Sequence, residues 1–221
     1  MIQLSFTEEN YLKAIFSVKT EKDKGASTTV IANILDTKAS SVTDMIKKLA
    51  DKNLVNYKKY YGVTLTELGK KSAIQTIRKQ RLWEVFLVNK LAFGWDEVHE
   101  IAEQLEHIQS IELTNRLEKF LEYPKFDPHG DPIPDKEGNM AARIETKSLS
   151  RMKPGEKGTI VGVKDTSTEF LQFLKTRNLV LGTHIEIDEI FEYDNSLTIK
   201  INEATKFVSE QVSKNIIIKI N

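Results

Sequence analysis

A chain of 221 residues carries 32 basic and 32 acidic side chains, a formal net charge of zero and no cysteine. That length holds one large or two ordinary domains with a sizeable core, and the missing thiols exclude disulfides, thiolate metal sites and a cysteine nucleophile. Zero net charge excludes binding to nucleic acid by global attraction, so any such binding rests on local basic patches.

The start, MIQLSFTEENYLKAIF, places acidic residues where a signal peptide has a basic segment, and no apolar run is long enough to span a bilayer. A cytoplasmic protein is expected. Thr7 is a candidate N-cap for a first helix over 7–18, with Glu8 and Glu9 in its first turn and Tyr11, Leu12, Ile15 and Phe16 on one face. After a polar break ending near Gly25, Thr28 or Thr29 caps a short helix holding Val30, Ile31, Ile34 and Leu35. The segment 40–53 caps at Ser40 or Ser41 and buries Val42, Met45, Ile46 and Leu49. Leu54, Val55 and Tyr57, a turn at Tyr60-Tyr61-Gly62, and Val63 and Leu65 then read as a β-hairpin, with Thr66 capping the next helix.

Two short helices joined by a tight turn and followed by a hairpin make a winged helix-turn-helix, over residues 1–66. The start of its second helix presents Lys38, Ser40, Ser41, Thr43 and Asp44, small polar groups able to enter a major groove. Lys47 and Lys48 follow, and Lys58, Lys59, Tyr60 and Tyr61 decorate the wing, where lysines would neutralise phosphates. The competing reading is a protein-contact module with solvated lysines. Double-stranded DNA is the expected partner.

A long helix runs from about 67 to 92 with Ile74, Ile77, Leu82, Val85, Phe86, Val88 and Leu91 on a wide apolar surface, and with Gln80 and Glu84 sharing a face at i, i+4. FGW breaks it, and Asp96 is placed to cap a helix over 97–108. On that helix His99, Glu103, Glu106 and His107, at i, i+4, i+7 and i+8, project within roughly a quarter-turn. Val98, Ile101, Ala102, Leu105 and Ile108 fall opposite. Imidazole and carboxylate without thiolate suit Mn(II), Fe(II) or Zn(II), and the competing reading is a solvated charged face. A further helix over 110–122 adds apolar surface, so residues 67–142 read as a helical region with a homodimer interface. All five prolines lie in 124–157, which predicts a loop and tether without regular elements. In it His129 reads as a turn residue. From Gly158 short alternating strands, with one helix at TSTEFLQFLKTR, predict a small β-barrel in a domain over 143–221, and His184 at a strand start reads as a surface residue.

The motifs TEENYLKAI, SSVTDMIKKL, RLWEVFL, VHEIAEQLEHI and DPHGDPIP together resemble the diphtheria toxin repressor family, which includes the manganese transport regulators. The resemblance covers essentially the whole length. It implies a mainly α fold with β: an N-terminal winged helix-turn-helix, a helical dimerisation and metal-binding domain, and a small C-terminal barrel of Src-homology-like or ferrous-transport-accessory (FeoA-like) type. The implied activity is metal-activated repression of metal-homeostasis genes, with no enzyme chemistry. By the same resemblance Glu103, Glu106, His107, Glu84 and His99 match family ligands. Glu103 stands where the iron-responsive branch has cysteine, and the harder carboxylate favours Mn(II). Asn10 stands at a methionine or aspartate position, and Gln80 where members usually have histidine, a better ligand than an amide. Glu169 corresponds to a barrel residue that reaches the metal region in long members. Mn(II) is the implied cofactor, Fe(II) the alternative, and Zn, Co, Ni or Cd are further ions for binding in vitro. Ligands from the first, long and key helices would let one ion relieve facing carboxylates and fix the two recognition helices at half-site spacing, with reciprocal coupling between metal and DNA. Two other classes remain open: a winged-helix regulator with degenerate metal sites, and a metallohydrolase, which would need an open coordination position and a substrate cleft.

Overall fold

The computed structural model describes residues 3–18, 25–58, 61–141, 146–202 and 204–220. In chain order the helices are α1 (Phe6–Ser17), α2 (Thr28–Ile34), α3 (Ala39–Asp51), α4 (Glu67–Leu91), α5 (Val98–Leu105), α6 (Ile111–Phe120), α7 (Thr168–Thr176) and α8 (Glu210–Asn215). The strands are β1 (Val55–Lys58), β2 (Gly62–Leu65), β3 (Thr146–Ser148), β4 (Lys157–Val163), β5 (His184–Ile190), β6 (Leu197–Ile201), β7 (Ala204–Val208) and β8 (Ile216–Ile220). They form two compact units: residues 1–80, 103–115 and 134–139 make the first, and residues 81–102, 116–133 and 140–221 the second.

In the first unit α1, α2 and α3 close on Leu12, Ile15, Ile31, Val42, Ile46 and Leu49, sealed by Leu54 and Val63 of the hairpin region. The predicted caps of α1, α2 and α3 are each displaced. Ser5, not Thr7, caps α1: its Oγ accepts from the Glu8 amide while the Glu8 carboxylate accepts from the Ser5 amide at 2.9 Å. That reciprocal pair satisfies two orphan donors at once, which a lone Thr7 could not. Ser27, not Thr28 or Thr29, caps α2 by accepting from the Val30 amide. Helix α3 has Lys38 at its N-cap position and no side-chain cap, so Ser40 and Ser41 lie inside its first turn. Asn53, with φ of 57°, turns the chain out of α3. The wing is β1 antiparallel to β2, with Val55 opposite Leu65 and Lys58 opposite Gly62, and Ala26 bridges to Val63 beside it. Thr66 caps α4 as the pattern predicts, accepting from the Gly69 amide at 3.0 Å.

In the second unit Leu82, Val85, Leu117 and Ile133 form a small helical core. A six-stranded antiparallel sheet, ordered β3-β8-β4-β5-β6-β7, encloses a larger core of Leu149, Ile160, Leu171, Leu174, Ile185, Ile187, Leu197, Ile199, Ile216 and Ile218. Period-two alternation turns Ile185 and Ile187 inward while Glu186 and Asp188 take the other face. The expected barrel is present as this sheet without closure: among the described residues no ladder joins the edge strands β3 and β7. The stretch 124–157 is not wholly loop. Its prolines concentrate before residue 135, and beyond them β3 and a 3-10 turn at Leu149–Arg151 bury Leu149 and Met152. Among the described residues no helix is long and apolar enough to cross a membrane.

Helix α5 is shorter than predicted. It ends at Leu105, and a tighter bond from the Ile108 amide to the Leu105 carbonyl closes it, so Glu106 and His107 stand in the turn beyond. Val98 and Ala102 are buried as predicted, but Ile108 is exposed. Asp96 does not cap α5. Its carboxylate accepts instead from Lys175 at 2.9 Å.

Candidate metal centre

Within the second unit, Glu84 of α4, His99 of α5, and Asp127 and His129 of the loop before β3 converge. Ligand atoms of Glu84, Asp127 and His129 all lie within 4.8 Å of one another, the one such group among the described residues. All three side chains are buried. The Glu84 carboxylate faces His99 Nδ1 at 3.2 Å and His129 Nδ1 at 3.6 Å. His129 Nε2 lies 2.8 Å from the Trp95 carbonyl, which can only accept, so Nε2 carries a proton and Nδ1 is aimed at Glu84. An imidazole held at one nitrogen by a backbone carbonyl, with the other presented to carboxylates, is the usual posture of a metal-ligating histidine.

The loop is built to hold that posture. Asp127 Oδ1 accepts from the amides of His129 at 2.8 Å and Asp131 at 2.9 Å, an Asx turn that orders DPHGD. Its other oxygen lies 3.4 Å from Arg81 Nε, and Arg81 also pairs with Asp131. Gly130 has φ of +88°, and a Cβ there would lie 2.0 Å from the Val161 carbonyl oxygen, so only glycine lets the loop touch β4. The Val163 amide then donates to the His129 carbonyl at 3.1 Å.

The electrostatics follow from burial and pairing. Burial raises the Glu84 carboxyl, but hydrogen bonds and charge from His129 and His99 outweigh it and hold the group at about 2. Burial lowers His129, and the Glu84 carboxylate and Asp127 outweigh that, pushing it up to about 9. Burial, with the charges of Glu84 and Asp131, raises Asp127 to about 7 against the pull of Arg81 and His129. Protonated His129 beside Glu84 and the Arg81 guanidinium beside Asp127 are thus the cations that favour the ionised carboxylates here. Two buried carboxylates and an oriented imidazole, with no thiolate, fit a divalent ion such as Mn(II), Fe(II) or Zn(II), whose binding would displace the His129 proton.

The remaining predicted ligands gather within the first unit. Lys13 of α1 places its Nζ 3.0 Å from Glu103, 2.8 and 3.1 Å from the two oxygens of Glu106, and 3.2 Å from the Gln80 amide oxygen. Glu106 is fully buried, and that burial, with the charge of Glu103, raises its carboxyl above the ordinary value against the opposing pull of Lys13. His107 is turned away from that group. Its Nδ1 pairs with Glu9 at 2.6 Å and its ring stacks on Phe6, while Gln109 and Lys79 also reach Glu9. Asn10 has a buried amide oxygen with no hydrogen-bond partner. Glu169 is exposed in the first turn of α7 and belongs to no metal-holding group among the described residues. His184 is exposed, beside Thr159.

Three residues at these clusters escape the helical-spacing argument: Lys13, Asp127 and His129. His129 does lie in a turn, as DPHGDPIP predicts, but its side chain is 3% exposed and faces Glu84. The signal was present, because an Asp-x-His pair in a proline-bounded loop supplies two donors on one short arm.

On the nucleic-acid face, Lys38, Ser40, Ser41, Asp44, Lys47, Lys48 and Lys58 are exposed and Thr43 is half-buried. Thr43 donates to the Ala39 carbonyl, Lys47 pairs with Asp44 at 3.3 Å, and Lys58 lies over the Tyr61 ring at 4.2 Å. Lys59 and Tyr60 lie outside the described residues.

A winged helix-turn-helix in the same chain as a buried carboxylate–imidazole centre defines a metal-responsive transcription regulator. Comparison with known proteins makes the class specific. Residues 3–63 match the iron dependent repressor N-terminal DNA binding domain, residues 66–135 the iron dependent repressor metal binding and dimerisation domain, and residues 147–220 the FeoA domain. An uncharacterized HTH-type transcriptional regulator of Methanocaldococcus jannaschii is 38% identical over 119 residues, covering 54% of this chain and 95% of that protein. The iron-dependent repressor IdeR of Mycobacterium tuberculosis is 34% identical over 134 residues, 61% of this chain, and the match spans only 58% of IdeR. A solved manganese-dependent transcriptional repressor in complex with manganese superposes with a TM-score of 0.83 at 30% identity, covering 97% of this chain and 100% of that one. The manganese regulator SloR gives 0.75 at 33% identity, covering 97% and 98%. The chain belongs to the diphtheria toxin repressor family of metal-dependent transcriptional repressors, a family of regulators and not of enzymes.

Proposed function

We propose that this repressor responds to Mn(II), binds duplex DNA as a homodimer, and regulates metal-ion homeostasis genes in the cytoplasm. Working domains are 1–66 for DNA, 67–142 for metal and dimerisation, and 143–221 for the C-terminal sheet. The observation that carries the metal assignment is the His129 ring, fixed by the Trp95 carbonyl and aimed at the buried Glu84. Glu84, Asp127 and His129 would hold the ion, with His99 beside Glu84. A bound ion would supply two positive charges to carboxylates that otherwise face protonated His129 and, at Asp127, the Arg81 guanidinium. Arg81, the Asx turn and Gly130 keep the loop in place. The similarity to solved manganese-dependent repressors supports Mn(II), and the similarity to IdeR makes Fe(II) the second ion to test. In the second unit exposed Leu91 of α4 and Phe120 of α6 supply apolar surface for a second copy.

The lysines of α3 and the wing neutralise phosphates, while the short polar groups at the start of α3 face base edges. Duplexes selected from a random pool should bind the full chain more tightly with Mn(II) than with chelator, and Mn(II) and Fe(II) titrations should separate the two ions. Equal affinity with and without metal would sink the proposal. Lys47→Ala should weaken all duplexes alike and reduce the salt slope by about one; altered base preference at unchanged slope would contradict the phosphate role.

A further inference from the structure

Lys13 sits where the family resemblance places an ion. An ammonium has three N–H donors, and here three side chains take them: Gln80, Glu103 and Glu106, all within 3.2 Å of Nζ. The group's two carboxylates therefore already face a fixed cation. Its other members are poor ligands or engaged elsewhere. Gln80 offers a neutral amide oxygen that accepts from Lys13, and Asn10 offers only a neutral amide oxygen. His107 is held by Glu9 and stacked on Phe6. A divalent ion entering the group would have to expel the ammonium, whose side chain is only 19% exposed, from between its partners. Expelling it would cost Lys13 all three of its partners at once.

We propose that Lys13 is a built-in substitute for a metal ion. Its ammonium holds Gln80, Glu103 and Glu106 together permanently, so the first unit's cluster is assembled without metal and the chain takes one regulatory ion, not two. Lys13 is a positioning residue here: it ties α1 to Gln80 in the middle of α4 and to the end of α5 and the turn beyond it, within the first unit. The count of one ion rests on the reading of Glu84, Asp127 and His129 as the metal centre, and the test keeps the two ideas apart.

The measurement is the number of Mn(II) ions bound per full-length chain, by equilibrium dialysis with electron paramagnetic resonance detection of free Mn(II). Wild type should bind one ion. Glu106→Gln should retain it and Glu84→Gln should lose it. Lys13→Met, which removes the ammonium and leaves the carboxylates, should bind a second ion, lost again when Glu106→Gln is added. Wild type binding two ions, one of them lost in Glu106→Gln, would overturn the proposal while leaving the Glu84 centre intact. So would a folded Lys13→Met that still binds one. Wild type binding none would remove the Glu84 centre instead, and a single ion gained by Lys13→Met would then still support the substitute role. Should Lys13→Met fail to fold, the comparison of wild type with Glu106→Gln decides alone. A second readout is thermal unfolding in chelator, where Lys13→Met should lose stability that saturating Mn(II) restores.

Discussion

Replacing Glu84 with glutamine tests the metal centre most directly. The substitution keeps shape and hydrogen-bonding capacity but removes the one carboxylate that faces both His99 and His129. Losing a group that merely orients a metal ligand costs about 10- to 100-fold in metal affinity, so loss of a buried anionic ligand should cost at least ~100-fold. The consequence can be read as stability. An ion that binds only the folded state at 100 times its Kd adds about 2.7 kcal/mol, and the same concentration at a Kd raised 100-fold adds only about 0.4 kcal/mol. For a chain of this size each kcal/mol moves Tm by roughly 2–4 °C. Wild type should therefore melt about 5–11 °C higher with Mn(II) than with chelator, and Glu84→Gln only about 1–2 °C higher. Because each protein is compared with itself, any change in baseline stability from losing the His129 partner drops out. A Glu84→Gln protein that kept the full Mn(II)-induced rise would refute the assignment of this centre.

Two further outcomes follow from the structure. Gly130→Ala must adopt a positive φ and push a methyl group against the Val161 carbonyl, 2.0 Å from the built Cβ position. It should cost about 2–4 kcal/mol in a urea melt and weaken Mn(II) binding through His129; a loss below ~0.5 kcal/mol would show that the loop accommodates a side chain. The Asp96–Lys175 pair carries a pH signature. Burial raises Asp96, and the hydrogen bond and charge of Lys175 outweigh it and lower the carboxyl, while the same hydrogen bond raises Lys175. Asp96 thus adds stability above about pH 4 that is lost as pH falls through its lowered folded value, and Lys175 adds stability below about pH 10 that is lost as pH rises through its raised one. Lys175 is 52% exposed, so the effect stays within about 1 kcal/mol. Asp96→Asn should match wild type at both pH extremes and fall short between them; a gap independent of pH would refute the pairing.

Much of the architecture was legible because it follows from local patterns. The apolar periodicity of α1 to α3, the Thr66 cap and the inward isoleucines of β5 each depend on neighbours a few residues away. Caps were misplaced by one or two residues where alternatives adjoin, as with Ser5 against Thr7 and Ser27 against Thr28. Strand β3 was hidden because three residues of half-buried edge carry almost no alternation.

The candidate sites were legible in their residue types and illegible in their partnerships, for a physical reason. Helical spacing states which side chains share an element, not which element they meet. His99 and Glu103 are one turn apart on α5, yet His99 pairs with Glu84 and Glu103 pairs with Lys13. Glu106 and His107 were grouped with them by a helix that ends at Leu105, and their burial comes from the turn beyond it. Lys13 stands one helical turn after Asn10, where a lysine reads as solvated. Only its meeting with Glu106, 93 residues away, turns it into a buried counter-charge. A scan for ligand types finds carboxylates and imidazoles but is blind to a cation already in place. The charge balance of each cluster is therefore the better guide to whether it needs a metal. The first unit's cluster has an ammonium between Glu103 and Glu106, whereas in the second unit the fixed cation, Arg81, meets Asp127 alone and Glu84 faces only the imidazoles of His99 and His129.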